Sequence, residues 1–198
     1  MAYKNTSRAY LNRAKQHLDS EAHESLFYAA FELRCGIESR SAEYLEPYDH
    51  VPNSVKETWR FAHLRRGMEK AFEIGDKIAR LAILERGGKE RAVFYFTPVT
   101  SELLKRGERI GEYLHALKTT PNENWWQETR KFLDETSQQL RVATTGTLLG
   151  PPLLQPATKD MSVHIEIPDG YPPVNPVELV GQIGEDVVAD IRYLDELP

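Results

Sequence analysis

The chain has 198 residues, a formal net charge of −5 and a single cysteine, Cys35. A chain of this length buries enough surface to fold without cross-links, and one cysteine excludes both an intramolecular disulfide and a zinc site built from thiolates. No apolar run approaches the ~20 residues that a membrane span needs, and the polar N-terminus does not resemble a secretory signal, so we expect a cytoplasmic protein.

Charge is unevenly distributed along the chain. Residues 1–141 carry 23 basic and 21 acidic side chains, whereas residues 142–198 carry only two basic residues, Lys159 and Arg192, against nine acidic ones. The chain is therefore a nearly neutral body followed by an acidic quarter. Such an asymmetry bears on binding partners rather than on the fold.

The first part of the chain has helical periodicity, because its apolar residues recur at spacings of three and four. The pattern predicts a first helix over residues 6–18, capped by Thr6 or Ser7, and a second over residues 21–45. A third segment, residues 54–86, is predicted as one long helix. Its seam comprises Phe61, Leu64, Met68, Ala71, Gly75, Ile78 and Ala82.

The sequence after "ERGGKE" predicts two further helices. The stretch "AVFYF" fits either a short strand or a buried connector. Thr97 and Pro98 begin a fourth helix that continues to Leu117, and Asn122 caps a fifth. Five helices with short connections predict a mainly α protein in the form of a helical bundle.

The composition changes after Arg141, where "TTGTLLGPPLLQPATKD" is rich in Gly, Pro and Thr. We place a domain boundary there, with a helical body over residues 1–141 and a linker with strands over residues 142–198. In this extension "SVHIEI" alternates like a half-buried strand, and residues 177–183 and 187–193 have the pattern of a hairpin. A small β appendage is not stable alone, so it must pack on the body, on a second copy or on another protein.

Motifs with a known chemical role are absent from the sequence. It contains no glycine-rich phosphate loop, no GxSxG and no HExxH. The six histidines are scattered and lack the spacing of a metal site. The sequence therefore predicts neither a metal nor a cofactor, and a small-molecule pocket between the long helices has no motif behind it.

Two groups of residues are candidates for a binding surface. Basic residues in "RFAHLRRGMEK" can contact nucleic-acid phosphates, although the acidic residues interleaved with them are typical of a solvated helix face. Of two adjacent tryptophans, one is predicted in the core and the other at an interface. The residues concerned are Arg60, Arg65, Arg66 and Lys70 in the first group, and Trp125 and Trp126 in the second.

The second predicted helix carries charged residues on a mostly apolar background. Glu32, Arg34 and Glu38 lie within seven positions, and Arg34 is four residues before Glu38, so these two can form an ion pair. A group of this kind in a groove between helices is more often structural than catalytic. The alternative is a functional group in a cleft that two copies share.

The order of the first four helices resembles the HEPN superfamily, compact helical bundles of prokaryotic toxins, defence systems and ribonucleases. The resemblance is carried by "YLNRAKQHL", by "LFYAAFELRCGIESR" with its Ile37 and Glu38, and by the long third helix, and it covers roughly the first 120 residues. In active members, an Arg and a His separated by four to six residues meet their copies in a dimer cleft. The resemblance implies metal-independent cleavage of RNA at such a cleft.

Arg109 and His115 in "RIGEYLH" match this Arg and His spacing. An imidazole can move a proton near neutral pH, and a guanidinium can stabilise charge on a scissile phosphate. In the family a polar residue often follows the Arg, whereas Ile110 follows here, which favours a protein without catalysis.

Two functional hypotheses follow. The first is a non-catalytic HEPN-like interaction or regulatory protein, of a prokaryotic defence, anti-defence or toxin–antitoxin system. It would bind a protein partner or a second copy through its acidic C-terminal strands, or cover a basic face of its own body with them. The alternative is a dimeric ribonuclease that uses Arg109 and His115 on RNA, with the acidic extension as a regulator.

Overall fold

The computed structural model describes residues 4–85, 87–115, 117, 120–154, 161–166 and 187–198. Helices predominate in these ranges, so the chain is mainly α, as predicted. The helices are α1 (Ser7–Leu18), α2 (Ser25–Leu45), α3 (Asn53–Lys56), α4 (Phe61–Phe72), α5 (Ser101–Tyr113) and α6 (Glu123–Ala143). The strands are β1 (Ile78–Glu85), β2 (Glu90–Phe96), β3 (Leu153–Leu154), β4 (Met161–Ser162) and β5 (Val187–Leu194).

Side-chain caps define where three of the helices begin. The hydroxyl of Thr6 accepts a hydrogen bond from the amide of Ala9, and the side chain of Asn122 accepts one from the amide of Trp125. These two predicted caps are confirmed. The predicted start of the fourth helix at Thr97 is wrong, because α5 begins at Ser101 with Thr100 as its cap.

The prediction of one long helix over residues 54–86 is also wrong. Helix α4 ends at Phe72, its C-cap Glu73 has a left-handed φ of 54°, and strand β1 begins at Ile78. The seam misled the prediction because Ile78 and Ala82 are four positions apart, a spacing that fits one face of a strand as well as one face of a helix. The β structure is thus not confined to the C-terminal appendage that the sequence predicts.

The three-stranded sheet has the order β2–β1–β5 and is antiparallel throughout. Strand β1 lies in the centre, and its Leu81 is opposite Phe94 of β2 and Ile191 of β5. These three residues belong to the face that packs on the hydrophobic core. The stretch "AVFYF", for which two interpretations were open, lies in β2.

The C-terminal quarter folds back onto its own chain where the structure describes it. Strand β5 pairs with β1 over the whole length of both strands. Further upstream, the amide of Leu149 donates to the carbonyl of His164 at 2.8 Å, and the amide of Glu166 donates to the carbonyl of Thr147 at 2.7 Å. The other half of the predicted hairpin, residues 177–183, lies outside the described residues.

Helix α2 is the central helix and contacts α1, α4, α5 and α6. Its inward face consists of small and branched apolar residues that solvent does not reach: Ala29, Ala30, Leu33 and Ile37. Among the described residues, none of the helices combines the length and the hydropathy that crossing a membrane requires.

Gly107 of α5 allows Phe61 of α4 to approach closely. A Cβ atom at this position would lie 2.7 Å from Cζ of Phe61, closer than real Cβ contacts. Both residues are buried, so the ring has little room to move away. The contact therefore fixes how α5 packs on α4.

Gly107→Val is expected to lower the free energy of unfolding by about 2 kcal/mol or more, because the added carbons overpack this contact. Urea denaturation measures the change. Glu108→Val, at an exposed neighbour on the same helix, is the matched control and is expected to cost less than about 1 kcal/mol. Equal losses in the two variants would mean that helix propensity, and not the contact with Phe61, limits the position.

Candidate functional site

Arg34 and Glu38 form the ion pair that their spacing predicts. Nε of Arg34 lies 3.1 Å from Oε1 of Glu38, and Nη1 donates to the carbonyl of Gly107 at 3.3 Å. The guanidinium also lies over the ring of Phe61, 5.0 Å from its centroid. The contacts of Arg34 thus join α2 to α5 and α4.

Glu32 does not belong to this pair. It is 8% exposed and its Oε2 accepts from Nε of Arg13 in α1 at 2.9 Å. Burial raises the pKa of the carboxyl of Glu38, against the opposing effect of Arg34. Burial, together with Glu38 and Glu32, raises the pKa of the Cys35 thiol to about 11. This thiol therefore stays protonated at neutral pH and is a poor nucleophile.

Among the described residues, the most completely buried charge is Arg40, which is not one of the candidates predicted from the sequence. Its exposure is 0%. Nε donates to the carbonyl of Ala143 at 3.0 Å, and Nη2 donates to the carbonyl of Gly146 at 3.1 Å. Nη1 donates to Glu43 at 3.0 Å and to Glu166 at 2.9 Å. The side chain thus holds α2, the C-terminal end of α6 and the C-terminal quarter together.

Tyr44 and Thr97 extend this network towards the sheet. The hydroxyl of Tyr44 donates to the carbonyls of Ala143, at 2.7 Å, and Thr97. The hydroxyl of Thr97 donates to the carbonyl of Ala143 at 3.0 Å and accepts from the amide of Gly146 at 3.1 Å. Burial raises the pKa of Tyr44, so the phenol keeps the proton that this arrangement needs.

Glu166 attaches the C-terminal quarter to the helical body. Its Oε2 accepts from Nη1 of Arg40 and, at 3.1 Å, from Nη2 of Arg8 in α1. Arg8 also donates to the carbonyl of Thr144 at 3.1 Å. The sequence left open whether the acidic extension packs on its own body, on a second copy or on another protein. Glu166 packs on its own body. A sequence signal for the site exists, because Arg40 continues the apolar stripe of Leu33 and Ile37 at a helical spacing.

Arg109 and His115 are both exposed and do not meet within one copy. Arg109 lies in α5 with its guanidinium 4.6 Å from the centroid of the Phe132 ring, and His115 lies two residues beyond the last residue of α5. From Arg109 to the last helical residue, Tyr113, the axis of α5 rises by about 6 Å, and His115 lies beyond that point. Cooperation between the two residues would therefore need a second copy.

The basic residues of the third predicted segment do not lie on one face. Arg65 lies 3.9 Å from Glu69, both on α4. Arg66 and Lys70 are exposed elsewhere on this helix, and Arg60 precedes its first residue. Arg65 thus lies beside one of the interleaved acidic residues that the sequence shows, and the nucleic-acid surface stays a prediction.

Both tryptophans are half-buried in one aromatic cluster, and Trp126 packs against the hydrophobic core. An interface role for the other tryptophan stays a prediction. Trp126 stacks on the ring of His23 with 4.5 Å between centroids, and Trp125 packs edge-on against Tyr113 at 5.9 Å. A cavity of about 270 Å³ lies beside Trp126 and His23 and reaches Arg130.

Metal ligands are not grouped in the part of the chain that the structure describes, where no three His, Cys, Asp or Glu residues are placed to hold an ion. Comparison of the chain with protein-family models, with curated proteins and with solved structures gives no match. What is known of function therefore has to come from the residues themselves.

Glu166→Gln is expected to lower the free energy of unfolding by about 2 kcal/mol, because a buried guanidinium loses part of its counter-charge. Glu135→Gln is the matched control, since Glu135 contacts Arg106 at 3.1 Å but is more exposed than Glu166. The control is expected to cost less than about 1 kcal/mol. Equal losses by urea denaturation would contradict a special role of Glu166 at Arg40.

Proposed function

We propose that this chain is a non-catalytic interaction protein with a HEPN-like helical body, and that it binds a protein partner along β5 in its acidic C-terminal quarter. The single observation that carries the proposal is the position of β5 at the edge of the sheet that the described residues form. Its outer edge has no strand partner among the described residues. An edge strand presents unpaired backbone groups to which a partner can add a strand.

Side chains on both faces of β5 support this proposal. Val188 is 54% exposed and Tyr193 is 49% exposed. The two are opposite Leu84 and Ala79 of β1, positions on different faces of the sheet. An added strand would cover apolar surface on both faces as well as the backbone edge, and tyrosine is enriched at protein interfaces.

The negative charge of the C-terminal quarter supports partner binding less than the composition of that segment suggests. Of the four acidic residues described after residue 141, three lie within 4 Å of a basic residue of the body. They are Glu166, Asp190 and Asp195. Backbone pairing and apolar contact therefore support the partner hypothesis better than attraction to a basic surface does.

The contacts of α2 with α1, α5 and α6 support a bundle within the body. The resemblance to HEPN proteins depends on α1 and α2, since its third segment is not one long helix. A prokaryotic defence, anti-defence or toxin–antitoxin setting is what that resemblance suggests. The single cysteine suits a reducing cytoplasm, and we include that location in the proposal.

Val188→Lys combined with Tyr193→Lys is expected to abolish partner binding, because two charges would lie against the added strand. Affinity isolation with the wild type identifies the partner, and titration of the two purified proteins then measures binding. Val142→Lys, at another exposed apolar residue, is the matched control. Binding that survives the double change but not the control change would refute a site on β5.

A dimeric ribonuclease is the second candidate, and one observation favours it. Exposed apolar residues lie on α2 and after the end of α5: Tyr28, Phe31, Leu114 and Leu117. A surface that includes such residues can mediate self-association. A two-fold dimer through it would bring a second Arg109 and His115 to the same side.

We expect the purified chain not to cleave a mixed pool of structured and single-stranded RNA in EDTA, because Arg109 lies against the ring of Phe132 and His115 lies beyond the end of α5. The assay compares the wild type with Arg109→Ala and His115→Ala, with folding checked by circular dichroism. Wild-type cleavage that both substitutions abolish would replace the first proposal by the second.

A further inference from the structure

Trp59 is the most exposed large hydrophobic side chain among the described residues, at 64%. It lies two residues before the start of α4, and the guanidinium of Arg60 lies 5.6 Å from the centroid of its ring. A cation over one face of an indole stabilises the orientation of the ring. The ring is therefore an exposed aromatic surface with a cation beside it.

A row of basic residues continues from this ring along α4. His63, Arg66 and Lys70 follow one another at spacings of three and four, so they share one face of the helix. All three are exposed. The opposite face is buried, and it consists of Phe61, Leu64, Met68 and Phe72. The basic face thus points to solvent and is not needed for the core.

Acidic residues do not form ion pairs with this row in the described part of the structure. Arg60, Arg66 and Lys70 have no acidic partner within 4 Å there, and the nearby Glu69 lies beside Arg65. Arg65 therefore leaves the set that the sequence suggests, while Trp59 and His63 join it.

We propose that Trp59, Arg60, His63, Arg66 and Lys70 form a binding surface for single-stranded nucleic acid. One base stacks on the ring of Trp59, and the phosphates that follow it contact the cations of α4. Arg60 and Lys70 are about 15 Å apart along the helix axis, which suits a short stretch of strand. This surface involves no cleavage and does not depend on the partner bound by β5.

The aromatic ring decides between this ligand and other anions. Stacking between a base and an aromatic side chain tolerates any sequence but needs an unpaired base with a free face. A duplex hides its bases, and an acidic protein segment gains little from the ring. A single-stranded nucleic acid is therefore the ligand that contacts both the ring of Trp59 and the cations of α4.

Fluorescence anisotropy with labelled oligo(dT) and oligo(U) of ~12 nucleotides tests the proposal. At about 50 mM salt, Trp59→Ala is expected to weaken binding at least about fivefold, the effect of losing one stacked base. Arg66→Glu with Lys70→Glu is expected to weaken it at least about tenfold and to reduce the salt dependence. Each altered residue is exposed, and circular dichroism checks that every variant is folded.

Lys105→Glu with Lys131→Glu is the matched control, because it makes the same change of charge at exposed lysines on α5 and α6. It is expected to bind like the wild type to within about threefold. Absence of binding by the wild type, or equal weakening by the control pair, would overturn the proposal. So would equal competition by duplex DNA or by polyglutamate, which would indicate a general surface for anions or one for acidic proteins.

Discussion

The buried guanidinium of Arg40 is the interaction on which the arrangement of this chain most depends. Transfer of a charge from water into a protein interior costs several kcal/mol unless the charge is paired and its donors are satisfied. Arg40 meets this condition only when three other segments come to it: the carbonyls at the end of α6, the loop at Gly146 and the carboxylate of Glu166. Burial of Arg40 is therefore favourable only in a fold that brings these three segments to its guanidinium.

The same residue explains how α6 ends. The last carbonyls of a helix lack partners within the helix and carry partial negative charge. Here the carbonyl of Ala143 accepts from Arg40, Tyr44 and Thr97. A positive charge and two hydroxyls thus replace the water that an exposed helix end would bind. The chain that follows α6 therefore begins within this hydrogen-bond network. Glu166, further along the same segment, also contacts Arg40.

The sequence was sufficient for elements with a local signal. Thr6 and Asn122 mark the starts of α1 and α6 through hydrogen bonds to residues three positions away, and such bonds depend on adjacent sequence alone. Strand β1 was missed because its residues alternate weakly: a central strand is covered on both faces, and Ile78 and Ala82 also fit a helix. Neighbouring strands decide that question, and they are distant in sequence.

The candidate sites follow the same distinction. The Arg34 and Glu38 pair was predictable because it lies within one turn of one helix, whereas Glu32 turns to Arg13 of another helix. The role of Arg40 depends on a carboxylate 126 positions away, which no local pattern contains. Its place on an apolar stripe was a visible signal, since an arginine there must find a partner inside the protein.

The charge asymmetry of the sequence has a different meaning once the fold is known. The acidic residues described in the last quarter mostly contact basic residues of the body, so the apparent excess of negative charge there is partly an internal match. Among the described residues, Arg66 and Lys70 on α4 face solvent and have no acidic residue within 4 Å. Counting charges along the chain draws attention to the acidic quarter, whereas the contacts draw attention to the exposed cations of α4. Surfaces available to a partner are therefore better inferred from charges that the fold leaves without a counter-charge than from the composition of a segment.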